Sequence, residues 1–286
     1  MTSALDFLRT SQDTSGGWGY HPGHFPVTEA TAAVLLALRD QTQAADLVES
    51  GLEWLRSTQH DDGGWGYVAD DEESGWQTAW AVLAFSKMQI YDEYYRRGVE
   101  WLINVKPLGY RGDDFSNLSE TQDTSDAIVN SWPWYPGEAT WVEPTSLAIL
   151  ALVNEKNNQA AVTRSKHAVN YLQQRRCPGG GWNVGNPVMF DSALLGHAPQ
   201  TALALLALLA LDSGLYEERD LETLRYDMFI DGSPLALGLG CLVLRQLGSD
   251  CTDAANRILS MQKENGSWSN NCYHTAVVLM SERGNL

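Results

Sequence analysis

The chain has 286 residues with 36 acidic and 19 basic side chains, a net charge of −17. That balance argues against nucleic acid, whose phosphates need clustered Lys and Arg, and against anionic membrane surfaces. Leu and Ala dominate the periodic segments and β-branched runs are scarce, so the expected class is all-α.

One unit recurs along the chain. An amphipathic stretch ends in Gln, a Gly-rich turn follows, then a Trp, then a nearly all-apolar stretch beginning at Thr. The first copy runs Gln12, Gly16, Gly17, Trp18 into Thr31–Leu38. The second runs Gln59, Gly63, Gly64, Trp65 into Thr78–Phe85. Later copies run Gln174, Gly180, Gly181, Trp182 into Thr201–Leu208, and Gln262, Gly266, Trp268 into Tyr273–Leu279. Thr31 to Thr78 is 47 residues and Thr145 to Thr201 is 56, which marks a repeat architecture.

The first helix of each pair carries one apolar stripe, as at Leu47, Gly51, Leu52, Trp54 and Leu55. The second is apolar on nearly every face, so it belongs inside. Six such pairs, at about 1–39, 44–88, 92–153, 162–211, 216–248 and 250–284, predict one α6/α6 toroid domain with inner and outer helix rings. The fifth outer helix lacks the Gln and Trp signature. The third connection, 107–141, is 35 residues long and holds Trp132, Trp134 and Trp141, the profile of a lid, a cavity wall or a packed cover.

The four cysteines suggest no disulfide framework, the first residues lack the marks of a signal peptide, and the longest uncharged helix run, Ala198 to Leu211, is 14 residues, too short to span a bilayer. A cytoplasmic protein without a transmembrane segment is the expectation.

The inner-helix starts alternate in chemistry. Glu29-Ala30-Thr31, Glu143-Pro144-Thr145 and Asp231-Gly232-Ser233 each place an acid two residues before a hydroxyl. Trp76-Gln77-Thr78, Pro199-Gln200-Thr201 and Tyr273-His274-Thr275 place a Gln or His one residue before it. A closed ring then carries Glu29, Glu143 and Asp231 alternating with Gln77, Gln200 and His274 on one rim. Each acid also suits a helix N-terminus, where free N–H groups and the dipole favour it by about 0.3–1 kcal/mol.

The Gln–Gly–Trp unit resembles the QW repeat of squalene-hopene and oxidosqualene cyclases, and the pattern resembles the β subunits of protein prenyltransferases. The resemblance spans the chain and implies a toroid whose central cavity takes an isoprenoid-like hydrophobic molecule, with transfer or cyclisation chemistry at the rim. Glu29, Glu143, Asp231 and His274 would then be catalytic. Trp76, Trp80 and Trp141 would face the chain or stabilise a carbocation, with Gln77 and Gln200 beside them. The prenyltransferase pattern places His197 and Arg225 against an anionic head group and Asp231 and His274 on a zinc ion. Its Cys ligand falls on Ser233 here, which weakens a Zn2+ site, although Cys272 is a substitute donor if the helix start bends inward. The triple-acid motif of the cyclases is absent. Two other readings stand: a glycoside hydrolase with paired acids and sugar-stacking tryptophans, and a non-catalytic scaffold binding a lipid or protein partner.

Overall fold

A computed structural model describes residues 3–108, 130–211 and 213–284. The described residues form twelve α-helices: α1 Ala4–Ser11, α2 Thr28–Leu38, α3 Ala45–Ser57, α4 Gln77–Lys87, α5 Glu93–Asn104, α6 Val142–Leu152, α7 Gln159–Gln174, α8 Ala198–Leu211, α9 Glu218–Asp231, α10 Pro234–Gln246, α11 Thr252–Ser260 and α12 Cys272–Arg283. A two-stranded hairpin, β1 Val188–Met189 and β2 Ser192–Ala193, rises between α7 and α8.

The even-numbered helices make a closed inner ring. Each packs on the next in the order α2, α4, α6, α8, α10, α12, and α12 packs back on α2. Every residue of α2 is buried, and α4, α6 and α10 are buried along almost their whole length. Odd-numbered helices lie outside. On α3 the buried residues are Leu47, Gly51, Leu52, Trp54 and Leu55, the stripe expected from the i, i+3, i+4 spacing.

The Gln–Gly–Trp unit is the device that ties inner to outer ring. In the second hairpin Trp65 donates its indole N–H to Leu55 O of α3 at 2.7 Å, and its backbone N–H to Thr78 Oγ1 of α4 at 2.9 Å. Trp18, Trp132, Trp182 and Trp268 repeat both bonds with Thr31, Thr145, Thr201 and Thr275. The Gln reaches the other way: Gln59 Nε2 donates to Gly63 O and to Tyr94 O of the next outer helix, both at 2.8 Å. Gln12 does the same with Gly16 O and Leu47 O. The turn needs its glycine, since Gly63 has φ +93° and a Cβ there would sit 2.8 Å from Arg97 O.

Within the third connection, read as a lid, a cavity wall or a packed cover, Trp132 is packed and serves as the third anchor. The remainder of that connection, 109–129, lies outside the described residues. The fifth hairpin does without a Trp anchor and turns through Gly232 in the left-handed conformation, with Ser233 capping α10.

The inner-helix starts are held by neighbouring loops. Thr28 N–H donates to Tyr67 O, Trp76 N–H to Trp134 O and Val142 N–H to Val184 O, each bond reaching the following hairpin. Cys272 N–H donates to Tyr20 O at 2.7 Å, joining the last hairpin to the first. Among the described residues no helix is long and apolar enough to cross a membrane.

Thr78→Val keeps the side-chain shape and removes the acceptor for a buried Trp65 N–H. Denaturant unfolding is expected to show a loss of about 1–3 kcal/mol.

Candidate functional site at the inner-helix rim

The rim joins α2, α4, α6 and α12. Glu29, in the first turn of α2, is only 6% exposed. It does not cap its helix: α2 has no side-chain cap. Instead its carboxyl accepts a hydrogen bond from Tyr20 Oη, with the Tyr273 hydroxyl as a further electrostatic neighbour. Burial, reinforced by the charge of Glu143 and opposed by the two hydroxyls, pushes the Glu29 carboxyl up to about 8. Glu29 therefore holds its proton at neutral pH.

The tyrosines enclose it. Tyr20 meets Tyr273 edge-on at 6.2 Å between ring centroids and Tyr67 at 6.3 Å. Burial first, then the nearby carboxylates, raises the Tyr20 and Tyr273 hydroxyls far above the usual phenol range. Trp80 of α4 meets Tyr273 of α12 edge-on at 5.8 Å. These two helices flank α2.

Glu143, in the first turn of α6, is half-buried, and burial raises its carboxyl while a 3.4 Å bond donated by Gln200 Nε2 opposes the shift. Its charge is felt at Glu29 and Tyr273, so the two glutamates share one electrostatic neighbourhood. Gln77 opens α4 with a buried Oε1 that has no hydrogen-bond partner.

The other sequence candidates sit apart from Glu29. Trp76 is half-buried and packs edge-on against Trp134 at 4.7 Å. Trp141 is half-buried with its ring against Gly185. His197 is exposed beside Asp227, and Arg225 is exposed in an ion pair with Glu218 at 3.1 Å. These two therefore face solvent from different elements. Asp231 is exposed and closes outer helix α9 rather than opening an inner helix; its Oδ1 accepts from Ser233 N–H at 3.0 Å.

His274 is half-buried with an unpaired Nδ1. Burial and the neighbouring His21 lower its pKa, and Asp231 opposes them. Among the described residues no three His, Cys, Asp or Glu side chains converge on a point that would hold a metal. Cys272 is buried beside Ser11 of α1, and Ser233 uses its hydroxyl to accept from Ala236 N–H at 3.1 Å. These donors do not fit a zinc site, because two of the four are committed to helix packing and capping. Ser233→Cys is expected to leave the protein without stoichiometric zinc on elemental analysis and to cost about 1 kcal/mol as a lost cap.

Two surface grooves lie on the outer ring instead. One of 660 Å³ is lined by Tyr91, Tyr95, Arg96 and Glu100 of the α5 region with Asn158. The other, of 460 Å³, adjoins it around Ile103, Gln159 and Arg164.

Sequence reading missed Tyr20 and Tyr67 and treated Tyr273 only as the neighbour of His274. The available signal was the doubled string Gly17-Trp18-Gly19-Tyr20 and Gly64-Trp65-Gly66-Tyr67.

The squalene-hopene cyclase C-terminal domain family matches residues 1–117, and the prenyltransferase α-α toroid domain family matches residues 140–230. The chain is an α/α toroid, similar over separate segments to these two toroid families. No curated protein matches it. Among solved structures this toroid is similar to a protein from Actinoplanes at 17% identity and TM-score 0.67, covering 98% of this chain and 97% of that one. It is similar to the type II terpene cyclase MstE from Scytonema at 16% identity and TM-score 0.66, over 97% and 94% of the two chains. A novel α-amylase from Clostridium perfringens shares the toroid at 12% identity and TM-score 0.68, over 99% and 96%. Such identities establish a shared fold, and the chemistry must be argued from the rim itself.

Proposed function

We propose that the protein is an enzyme that binds an isoprenoid-like hydrophobic substrate inside the inner ring and starts a cyclisation or transfer reaction by general-acid catalysis, with Glu29 as the acid. The single observation that carries this reading is the Glu29 carboxyl, buried at the rim and bonded by Tyr20 Oη, where burial raises its hold on a proton. A carboxylic acid of that kind keeps a proton ready in a site closed to water. The tyrosine hydroxyls stabilise the carboxylate left after transfer. The faces of Tyr20, Tyr67, Tyr273 and Trp80 suit a developing cation. Glu143, sharing the electrostatic neighbourhood, is the candidate to recover a proton at the end. In this reading His274 supports the same rim, whereas His197, Arg225 and Asp231 would act only on the part of a ligand that reaches solvent.

The fold neighbour MstE has been captured with a geranylgeranyl dihydroxybenzoate substrate, which supports the choice of substrate class. The test is product analysis after incubation with geranylgeranyl-bearing substrates. Wild type is expected to give a cyclised or transferred product and Glu29→Gln none. Substrate binding with no turnover in either protein would leave a binding scaffold as the function.

A further inference from the structure

Of the four cysteines, Cys177, Cys241 and Cys272 are buried and Cys251 is half-buried. Two of them come together at the end of the ring opposite the inner-helix starts. Cys241 lies on inner helix α10, and Cys251 immediately precedes outer helix α11. The chain reverses between the two helices through Gly248, at φ +67°, and Ser249 N–H bonds back to Leu244 O at 2.8 Å. This brings Cys241 Sγ to 4.0 Å from Cys251 O, with the two thiols as neighbours.

A third group completes the cluster. Arg245 follows Cys241 by four residues, so it lies on the same face of α10. It donates its Nε–H to Cys251 Sγ at 3.2 Å. Its Nη1 donates to Ser281 O of α12, which holds the guanidinium from the other side. The Cys251 thiol has no part in capping α11, where Asp250 accepts from Thr252 N–H and Oγ1. A half-exposed sulfur beside a held cationic donor is the setting of a reactive cysteine. The thiolate is the nucleophile, and a guanidinium N–H stabilises negative charge on sulfur.

Cys241 has the opposite setting. It is 1% exposed, and burial first, then the adjoining Cys251, pushes its thiol up to about 12. It therefore stays protonated and shielded while Cys251 reacts. The pair divides into a sulfur that meets the oxidant and a sulfur that resolves the product.

We infer that Cys251 and Cys241 form an oxidative modification site, at which hydrogen peroxide oxidises Cys251 and Cys241 then closes a disulfide to it. The Cys251 thiolate attacks one peroxide oxygen. The O–O bond breaks, hydroxide leaves and takes up the thiol proton as water, and a sulfenic acid forms. Cys251 is then neutral, so its charge no longer opposes ionisation of Cys241. The Cys241 sulfur attacks the Cys251 sulfur, the S–O bond breaks, and the leaving hydroxide takes the Cys241 proton as a second water. Two thiols lose two protons and two electrons in all. The new bond ties α10 to α11 and is independent of the substrate bound at the rim.

The test is treatment of the full chain with hydrogen peroxide, then denaturation, alkylation with N-ethylmaleimide and peptide mass spectrometry. Wild type is expected to fall from four alkylated cysteines to two, with a cross-linked peptide joining Cys241 to Cys251 that dithiothreitol separates. Cys241→Ser should stop at a Cys251 sulfenic acid, which dimedone traps. Arg245→Met removes the charge from a side chain of similar reach and should slow the oxidation about tenfold; an unchanged rate would overturn its part in the site. Four alkylated cysteines after a dose that oxidises free glutathione would overturn the inference. So would a cross-link through Cys177 or Cys272, or oxidation of Cys251 with no cross-link. Wild type alone gives each of these readings, so a variant that folds poorly does not block the test.

Discussion

Glu29→Gln is expected to abolish turnover and, at the same time, to make the protein more stable at alkaline pH. The Glu29 carboxyl lies at about 8 in the folded chain, against 4.5 ordinarily. The folded state therefore binds a proton that the unfolded state has released across that interval. Stability falls as pH rises wherever the native state holds more protons, so wild type should lose stability between about pH 4.5 and 8 and level off above. A shift of that size corresponds to about 5 kcal/mol at most, before any relaxation of the site. The glutamine variant cannot ionise, so its stability should be flat through the same window. Below pH 5 the two proteins should be nearly equal, since a neutral carboxyl and an amide both accept from Tyr20. Denaturant unfolding across pH 5–9 reads this directly. Parallel curves would mean that Glu29 is not proton-bearing at neutral pH, and the acid assignment would fall. The rate profile has the matching sign: activity that needs the protonated form should decline as pH rises through about 8.

Trp65→Ala should give the largest loss of stability, about 3–5 kcal/mol, out of a total that for most domains is about 5–15. Trp65 is completely buried. It bonds Leu55 O of α3 through its indole N–H, and its ring lies 6.1 Å from Phe85 of α4 between centroids. On the other side it fills the space left by Gly98 of α5, where a Cβ would come within 2.7 Å of the indole ring. Three helices from two hairpins thus lose a shared contact. Trp65→Phe should recover most of the loss, because it restores volume but not the hydrogen bond. A loss under about 1 kcal/mol for the alanine variant would show that the anchor is dispensable and that ring closure alone holds the inner helices.

Much of this architecture is legible in the linear chain. The apolar faces of α2, α4, α6, α8 and α10 follow from runs such as Thr31–Leu38, which leave no polar side for water. The five-fold recurrence of Trp and Thr follows from a need repeated in each anchored hairpin: a donor to reach the outer helix and a hydroxyl to receive the backbone. The alternation of acids with Gln or His at the rim is equally visible, and it led to Glu29 and Glu143. What those residues face was not visible. Glu29, Glu143 and Asp231 read alike as acid–x–hydroxyl triplets. Yet one is buried, one is half-buried and the third is in solvent at the end of an outer helix. The difference arises because α9 runs to Asp231 before Gly232 turns the chain, whereas Glu29 lies inside its helix under the loop of Tyr67.

Local pattern determined the class, the ring of hairpins and the helices whose starts form the rim, because helix periodicity and turn chemistry are encoded within a few residues. Tertiary closure decided the chemistry. Tyr20 and Tyr273 are separated by 253 positions and meet over one carboxyl only because the last hairpin packs against the first. A proton affinity depends on burial and on the charges and donors within a few ångströms. Those neighbours come from hairpins one, three and six, so no window of sequence contains them.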